Sequence, residues 1–384
     1  MIKILNIVGA RPQIIKSAAI SREIRNSFSN SIEDIIVHTG QHYDENMSEI
    51  FFTEMGIPQT KYNLNVGSGS HGTQTSKTIT GIEKLILREK PHCVVVYGDT
   101  NSTLATAVAA SKIHYPVVHI EAGLRSFNKN MPEEINRIVC DNVSTLLFSP
   151  TKTGIQNLVH EGFNPHSQPP YTINNPGIFH CGDVMLDNAL FFAEKAVQQS
   201  KIIQKYSLVP DKFILVTIHR DFNTENTERL SAIFKAILEI AADNQVSFLL
   251  PLHPRTRQVL EDCPNAVFKD IKTHKNIVIT DAVSFFDILI LEKNAEMIFT
   301  DSGGVQKEAF FYHKPCLILR PQTEWTELVD CGAARLCDAD KKKISDNYYY
   351  YRNNSDKLLF PSIFGDGKAS HFICSKIVEN FRKN

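Results

Sequence analysis

Short apolar runs alternate with longer stretches of helical periodicity along almost the whole chain. Ile4–Val8, Ile35–His38, Cys93–Tyr97, Val117–Ile120 and Leu146–Phe148 are near-continuously apolar, the pattern of strands covered on both faces of a sheet. Between them, helices are expected over Gln13–Arg25, Glu45–Glu54, Gly72–Glu89, Ser102–Ile113 and Pro132–Val143. A second series begins after Lys212, with strands at Phe213–Ile218, Val246–Pro251, Ile277–Ile279, Met297–Thr300 and Cys316–Leu319 separated by helical intervals. Two βαβ series predict an α/β chain of two Rossmann-like domains, each a doubly wound parallel sheet, facing one another across a cleft. The seam is expected in the loop-rich stretch Gly162–Gly182, where Pro165, Pro169, Pro170 and Pro176 oppose helix. The expected domains are therefore 1–180 and 181–369, with a last helix-like stretch in 370–384 able to return to the first.

Composition narrows the classes of function. At 384 residues the chain exceeds one ordinary core, and 42% hydrophobic with 22% charged residues is the make-up of a globular protein. A formal net charge of −1 gives no basic field for nucleic acid or an anionic membrane. No apolar run reaches membrane-spanning length, and the N-terminal one is cut short by Gly9-Ala10-Arg11-Pro12, unlike a signal peptide. The eight cysteines form no C-x-x-C pair, and several lie in strand-like runs, so a reduced, cytoplasmic protein without structural zinc is expected. Lys341–Lys343 reads as a solvated surface, and Tyr348–Tyr351 as packing or surface contact.

Candidate chemistry gathers where open α/β sheets bind ligands, beyond the carboxyl ends of their strands. Arg11 follows the first strand, Asp99 follows Val94–Tyr97, and Glu121 follows Val117–Ile120. In the second half His219-Arg220, His253-Pro254-Arg255 and the turn Thr300-Asp301-Ser302-Gly303-Gly304 occupy equivalent places. A strand that turns through Ser302, Gly303 and Gly304 into a helix leaves backbone N–H groups at the positive end of the helix dipole, a site for a diphosphate. Glu308, one turn on, is placed to accept from sugar hydroxyls. The first half thus supplies the carboxylates Asp99, Glu121 and Glu133 with Arg11 and Lys16, and the second half supplies cations and the phosphate turn. Carboxylates in a partly dry cleft can divide acid and base work between them. Each group also has a plainer reading. Ser302 or Asp99 can cap a helix, Glu133 can stabilise a helix dipole, and Glu134 can pair with Arg137 or Lys129 at the surface. Lys16 can face solvent, and His253 with Arg255 can belong to a satisfied loop. Gly67-Ser68-Gly69-Ser70-His71-Gly72 has the G-x-G-x-x-G spacing but follows none of the expected strands, and the chain has no Walker A lysine motif, so neither NAD nor an ATP-type loop is expected, and no cofactor or metal.

In order along nearly the whole chain, several segments resemble the non-hydrolysing UDP-N-acetylglucosamine 2-epimerases. They are Gly9–Lys16, Thr39-Gly40-Gln41-His42, Tyr97–Thr100, His119–Arg125, Met131–Arg137, His219-Arg220, Thr300–Glu308 and Thr323-Glu324. The resemblance implies a glycosyltransferase-B-like fold, a homodimer, and a UDP-sugar substrate. It implies loss of UDP from C1 together with the C2 proton, and re-addition to the 2-acetamidoglucal with inversion at C2, for surface polysaccharide synthesis. By the same resemblance Asp99, Glu121, Glu133, His219 and Lys16 match catalytic positions. Arg11, Ser302 and Gly303 match phosphate contacts, and Glu308 a ribose contact. Gln41 and His42 match part of a regulatory UDP-sugar site, although Asp44 and the arginine-free Gly67–Gly72 depart from it. Asp221-Phe222-Asn223 departs from the usual x-Glu-Asn after His-Arg, and Trp325 replaces a basic residue. Thr323–Glu327 and the form around Arg125–Glu134 resemble a subgroup acting on UDP-2,3-diacetamido-2,3-dideoxy-glucuronate, which stands beside UDP-GlcNAc as the expected substrate. A hydrolysing epimerase, a retaining glycosyltransferase of the same fold and a non-catalytic UDP-sugar sensor are the other readings.

Overall fold

The computed structural model describes residues 1–40, 56–243, 246–252, 254–262 and 266–382. The expected helix Glu45–Glu54 lies outside them. The chain forms two units, Met1–Asn188 with Ser362–Asn384, and Ala189–Pro361.

The first unit is built on seven parallel strands: β1 (Ile2–Val8), β2 (Ile32–His38), β3 (Tyr62–Asn63), β4 (Cys93–Tyr97), β5 (Val117–Ile120), β6 (Leu146–Ser149) and β7 (Gly177–His180). Their order is β3-β2-β1-β4-β5-β6-β7. The chain therefore winds outward from β1 in one direction and from β4 in the other. In register, Leu5 lies beside Val94 and Val94 beside Val117. Val94, Val95 and Val96 are fully buried; withdrawing such a side chain from water stabilises the fold by about 1.5–3 kcal/mol. The second unit repeats the plan with β8 (Phe213–Thr217), β9 (Ser247–Leu252), β10 (Ile277–Asp281), β11 (Met297–Thr300), β12 (Cys316–Ile318) and β13 (Ala334–Leu336). Its order is β10-β9-β8-β11-β12-β13. Each sheet thus has a switch point, between β1 and β4 and between β8 and β11, where loops diverge and a ligand crevice opens beyond the strand ends.

The chain divides after Asn188 rather than at 180, and rejoins the first unit at Ser362 rather than at 370. Hydrogen bonds explain both shifts. Asn188 Nδ2 donates to the Ile15 carbonyl at 2.6 Å and Asn188 Oδ1 accepts from Arg22 at 3.0 Å. Asp187 accepts from the backbone N–H groups of Ala369 and Ser370 at the start of helix Ala369–Phe381, and Asp183 N–H donates to the Phe364 carbonyl. The proline-rich stretch also contains β7, paired to β6. Of the tyrosine run, Tyr348 and Tyr351 are fully buried and Tyr349 and Tyr350 exposed, as i,i+3 spacing on helix Lys341–Asn354 dictates. No described helix is long and apolar enough to cross a membrane.

Candidate active site

In the first unit, helix Arg11–Ser27 begins immediately after β1. Gln13 secures this turn: its Oε1 accepts from the Gly9 and Ala10 N–H groups, and its Nε2 donates to the Tyr97 carbonyl and to Thr103. The loop after β1 is thereby tied to the loop after β4, across the switch point. Arg11 is exposed at the helix start. Lys16 is only 8% exposed, and its ammonium reaches Glu121 Oε1 at 2.5 Å. The solvent-facing reading of Lys16 is therefore wrong: its helix face turns toward the strand ends. Glu121 sits just beyond β5 with φ +74°, a left-handed conformation that non-glycine residues rarely hold.

Asp99 does not cap the following helix. Thr100 does, accepting from the Thr103 N–H. The Asp99 carboxylate instead pairs with Arg137, and Asn136 Nδ2 donates to the Asp99 carbonyl at 2.8 Å. Both partners come from helix Pro132–Asn142. Glu134 pairs with Arg137 at 2.9 Å, but in the interior rather than at the surface, with 1% exposure. It also accepts from the Ser126 and Phe127 N–H groups. Burial opposes its ionisation, but those N–H donors and Arg137 outweigh burial and lower its pKa. Glu133 occupies the first turn of the same helix, half-buried.

In the second unit, Asp301 organises the site. It is fully buried directly after β11, and its carboxylate accepts from the His219 N–H (3.1 Å), the Arg220 N–H (3.1 Å) and Asn223 Nδ2 (3.1 Å). His219 Nδ1 lies 3.4 Å from Asp301 Oδ1, while the imidazole itself is 43% exposed. Arg220 Nε is buried without a hydrogen-bond partner among the described residues. Helix Gly303–Phe311 starts at Ser302, whose side chain makes no cap bond, so the Ser-cap reading fails. Among the described residues, no side chain is seen to cap the first-turn N–H groups. A β-carbon added at Gly303 would meet nothing nearer than 3.5 Å, and one at Gly304 nothing nearer than 3.9 Å. Neither glycine is required by backbone conformation or by protein packing; both leave the backbone open to an anion. Beside the turn, Arg320 pairs with Glu324 at 2.9 Å and the Lys307 ammonium stands 4.2 Å over the Trp325 ring. Glu308 is half-buried, with Oε2 4.0 Å from the β-carbon position of Gly304.

The structure thus brings together Lys16 and Glu121 in one unit, and His219, Arg220 and the Ser302–Gly304 turn in the other. Gln41, His42 and His253 lie outside the described residues, as does the Arg255 side chain. Arg137 and Asp301 were not assigned roles from sequence, although both lie inside the segments that carry the resemblance. Among the described residues, no cluster of His, Cys, Asp and Glu is arranged to hold a metal ion.

Two parallel α/β units with their polar groups at the switch points define a glycosyltransferase-B-like fold. The sequence profile described as UDP-N-acetylglucosamine 2-epimerase matches residues 25–378. UDP-2,3-diacetamido-2,3-dideoxy-D-glucuronate 2-epimerase of Pseudomonas aeruginosa is 46% identical over 99% of both chains. A UDP-N-acetylglucosamine 2-epimerase homolog of Methanococcus maripaludis is likewise 46% identical over 99% of both. The crystal structure of Methanocaldococcus jannaschii UDP-GlcNAc 2-epimerase in complex with UDP-GlcNAc and UDP superposes with TM-score 0.85 at 41% identity, covering 98% of this chain and 100% of that one. The chain belongs to the UDP-N-acetylglucosamine 2-epimerase family, and it is an enzyme of the isomerase class.

Proposed function

We propose that the chain inverts C2 of a UDP-linked 2-acetamido sugar without net hydrolysis. The C1–O bond breaks with its electron pair leaving on UDP, and the C2 proton passes to a carboxylate. The resulting 2-acetamidoglucal then takes back a proton on the opposite face of C2 and UDP at C1. The C2 hydrogen is not adjacent to a carbonyl, so positive charge building at C1 as UDP leaves is what loosens it. Asp99, Glu121 and Glu133 stabilise that charge and move protons, with Lys16 holding Glu121. The Ser302–Gly304 turn binds the diphosphate together with Arg11, Arg220, His253 and Arg255. Glu308 binds the ribose, and His219, oriented by Asp301, serves the leaving group. The observation that carries this reading is Glu121, held in a left-handed conformation against Lys16 beside the switch point.

Of the two sugars, UDP-2,3-diacetamido-2,3-dideoxy-D-glucuronate is favoured by the Pseudomonas relative. UDP-GlcNAc is the second reading, favoured by the Methanocaldococcus complex. The proposal includes a cytoplasmic homodimer supplying a manno-configured UDP-sugar for surface polysaccharide, with Gln41 and His42 as regulatory contacts.

Proton NMR of the enzyme with each UDP-sugar separately in D2O tests it. Deuterium at C2 and the manno epimer, still UDP-linked, are expected with one of them. Free manno sugar with UDP would instead identify the hydrolysing reaction. No exchange at C2 with either sugar would defeat the proposal.

A further inference from the structure

Beneath the loops that carry Asp99 and Glu121 lies one buried ion pair that joins them. His119, in β5, is fully buried, with Nδ1 2.7 Å from Asp141 Oδ1 and Nε2 2.9 Å from the carbonyl of Gly98, the residue before Asp99. A carbonyl only accepts, so Nε2–H donates to it. Burial disfavours the imidazolium, but Cys140 and Asp141 beside it outweigh burial and raise its pKa well above the usual value. Asp141, also fully buried, turns its other oxygen to the Gly123 N–H at 3.1 Å and to Arg125 Nη2 at 2.8 Å, just after Glu121. Arg125 continues to Glu161 at 2.6 Å.

The rest of the Glu121 loop leaves little other choice of position. Gly123 has φ +80°, and a β-carbon there would lie 2.3 Å from the Gly154 carbonyl oxygen. Asn157 Nδ2 donates to the Gly123 carbonyl at 3.0 Å. Glu121 itself is in a conformation that persists only where its surroundings impose it.

We propose that the His119–Asp141 pair is a clamp that fixes Glu121 relative to Asp99, making both positioning residues for the epimerisation. The inference rests on the epimerase reading of the site. The reaction removes a proton from one face of C2 and returns one to the other, so carboxylates on separate loops must keep their spacing through both halves. If that spacing loosens, elimination still produces UDP and the 2-acetamidoglucal, but re-protonation fails and both are released.

The test uses the UDP-sugar that the wild-type enzyme turns over, and three variants. Asp141→Asn sets an amide N–H against donors. His119→Asn keeps a donor for Asp141 and loses Gly98; His119→Gln keeps a donor for Gly98 and loses Asp141. In each, kcat is expected to fall up to about 100-fold, with the Kd for UDP changed by no more than about twofold. The decisive readout is the ratio of released UDP and glucal to UDP-linked epimer, which should rise by about tenfold or more. Loss of folded protein lowers both products together and leaves this ratio fixed, so an unchanged ratio overturns the clamp however far kcat falls. Should Asp141→Asn not fold, the His119 variants decide. A wild-type enzyme that turns over neither sugar refutes the epimerase reading instead.

Discussion

Lys16 Nζ lies 2.5 Å from Glu121 Oε1, and Gly98 passes so near both that a β-carbon there would stand 3.1 Å from the carboxylate and 3.2 Å from the ammonium. Gly98 also has φ +59°, a conformation that side chains resist. Gly98→Ala is expected to lower stability by about 1–3 kcal/mol, measured by urea unfolding, and to reduce kcat by pushing the pair apart. Stability equal to wild type would show that the loop accommodates a side chain at no strain.

Glu121→Gln leaves the side-chain volume unchanged and removes the charge that Lys16 meets. Its kcat is expected to fall by about 10²–10⁴-fold, while UDP binding by calorimetry stays as in wild type. Turnover near wild type would remove Glu121 from the proton-transfer chemistry.

The glycines of the phosphate turn separate binding from folding. Because a β-carbon at Gly304 meets nothing nearer than 3.9 Å, Gly304→Ala should unfold at the wild-type temperature. It should nonetheless obstruct approach of a diphosphate to the first-turn N–H groups, weakening UDP by about 10–100-fold, as expected for losing a charged hydrogen bond. Unaltered UDP affinity would place the diphosphate elsewhere.

How much of this was legible in the sequence follows from what each residue depends on. The strand ends were, because apolar runs and the glycines after them are local signals. Asp301 was not. Its task arises from β8 lying beside β11, with Thr217 level with Thr300, which sets the His219 and Arg220 N–H groups against its carboxylate. Lys16 matches a catalytic position by resemblance, but the residues alone leave a solvent-facing reading open, since only the tertiary placement of helix Arg11–Ser27 shows that its face meets Glu121. The two-residue strand β3 carries too few residues for a pattern; β7, which begins just after Pro176, exists through its pairing with β6.

Glu134 gives the fold an acid-sensitive brace. Its pKa is lowered in the folded chain, so its contribution to stability is complete above the unfolded carboxylate value of about 4.3 and is lost as pH falls through the lower folded value. Glu134→Gln should therefore be less stable than wild type at pH 7, and the gap in urea midpoint should narrow below about pH 4. A gap independent of pH would mean that packing, not charge, holds the Ser126–Phe127 turn.

Cleavage of the C1–O bond is the central claim, and positional isotope exchange tests it most directly. A UDP-sugar carrying 18O in the bridge between C1 and the β-phosphorus is incubated with the enzyme and followed by phosphorus NMR. Elimination frees the β-phosphate to rotate before re-addition, so the label should move into non-bridging β-positions while the manno epimer forms. Epimerisation at C2 with all label retained in the bridge would contradict it.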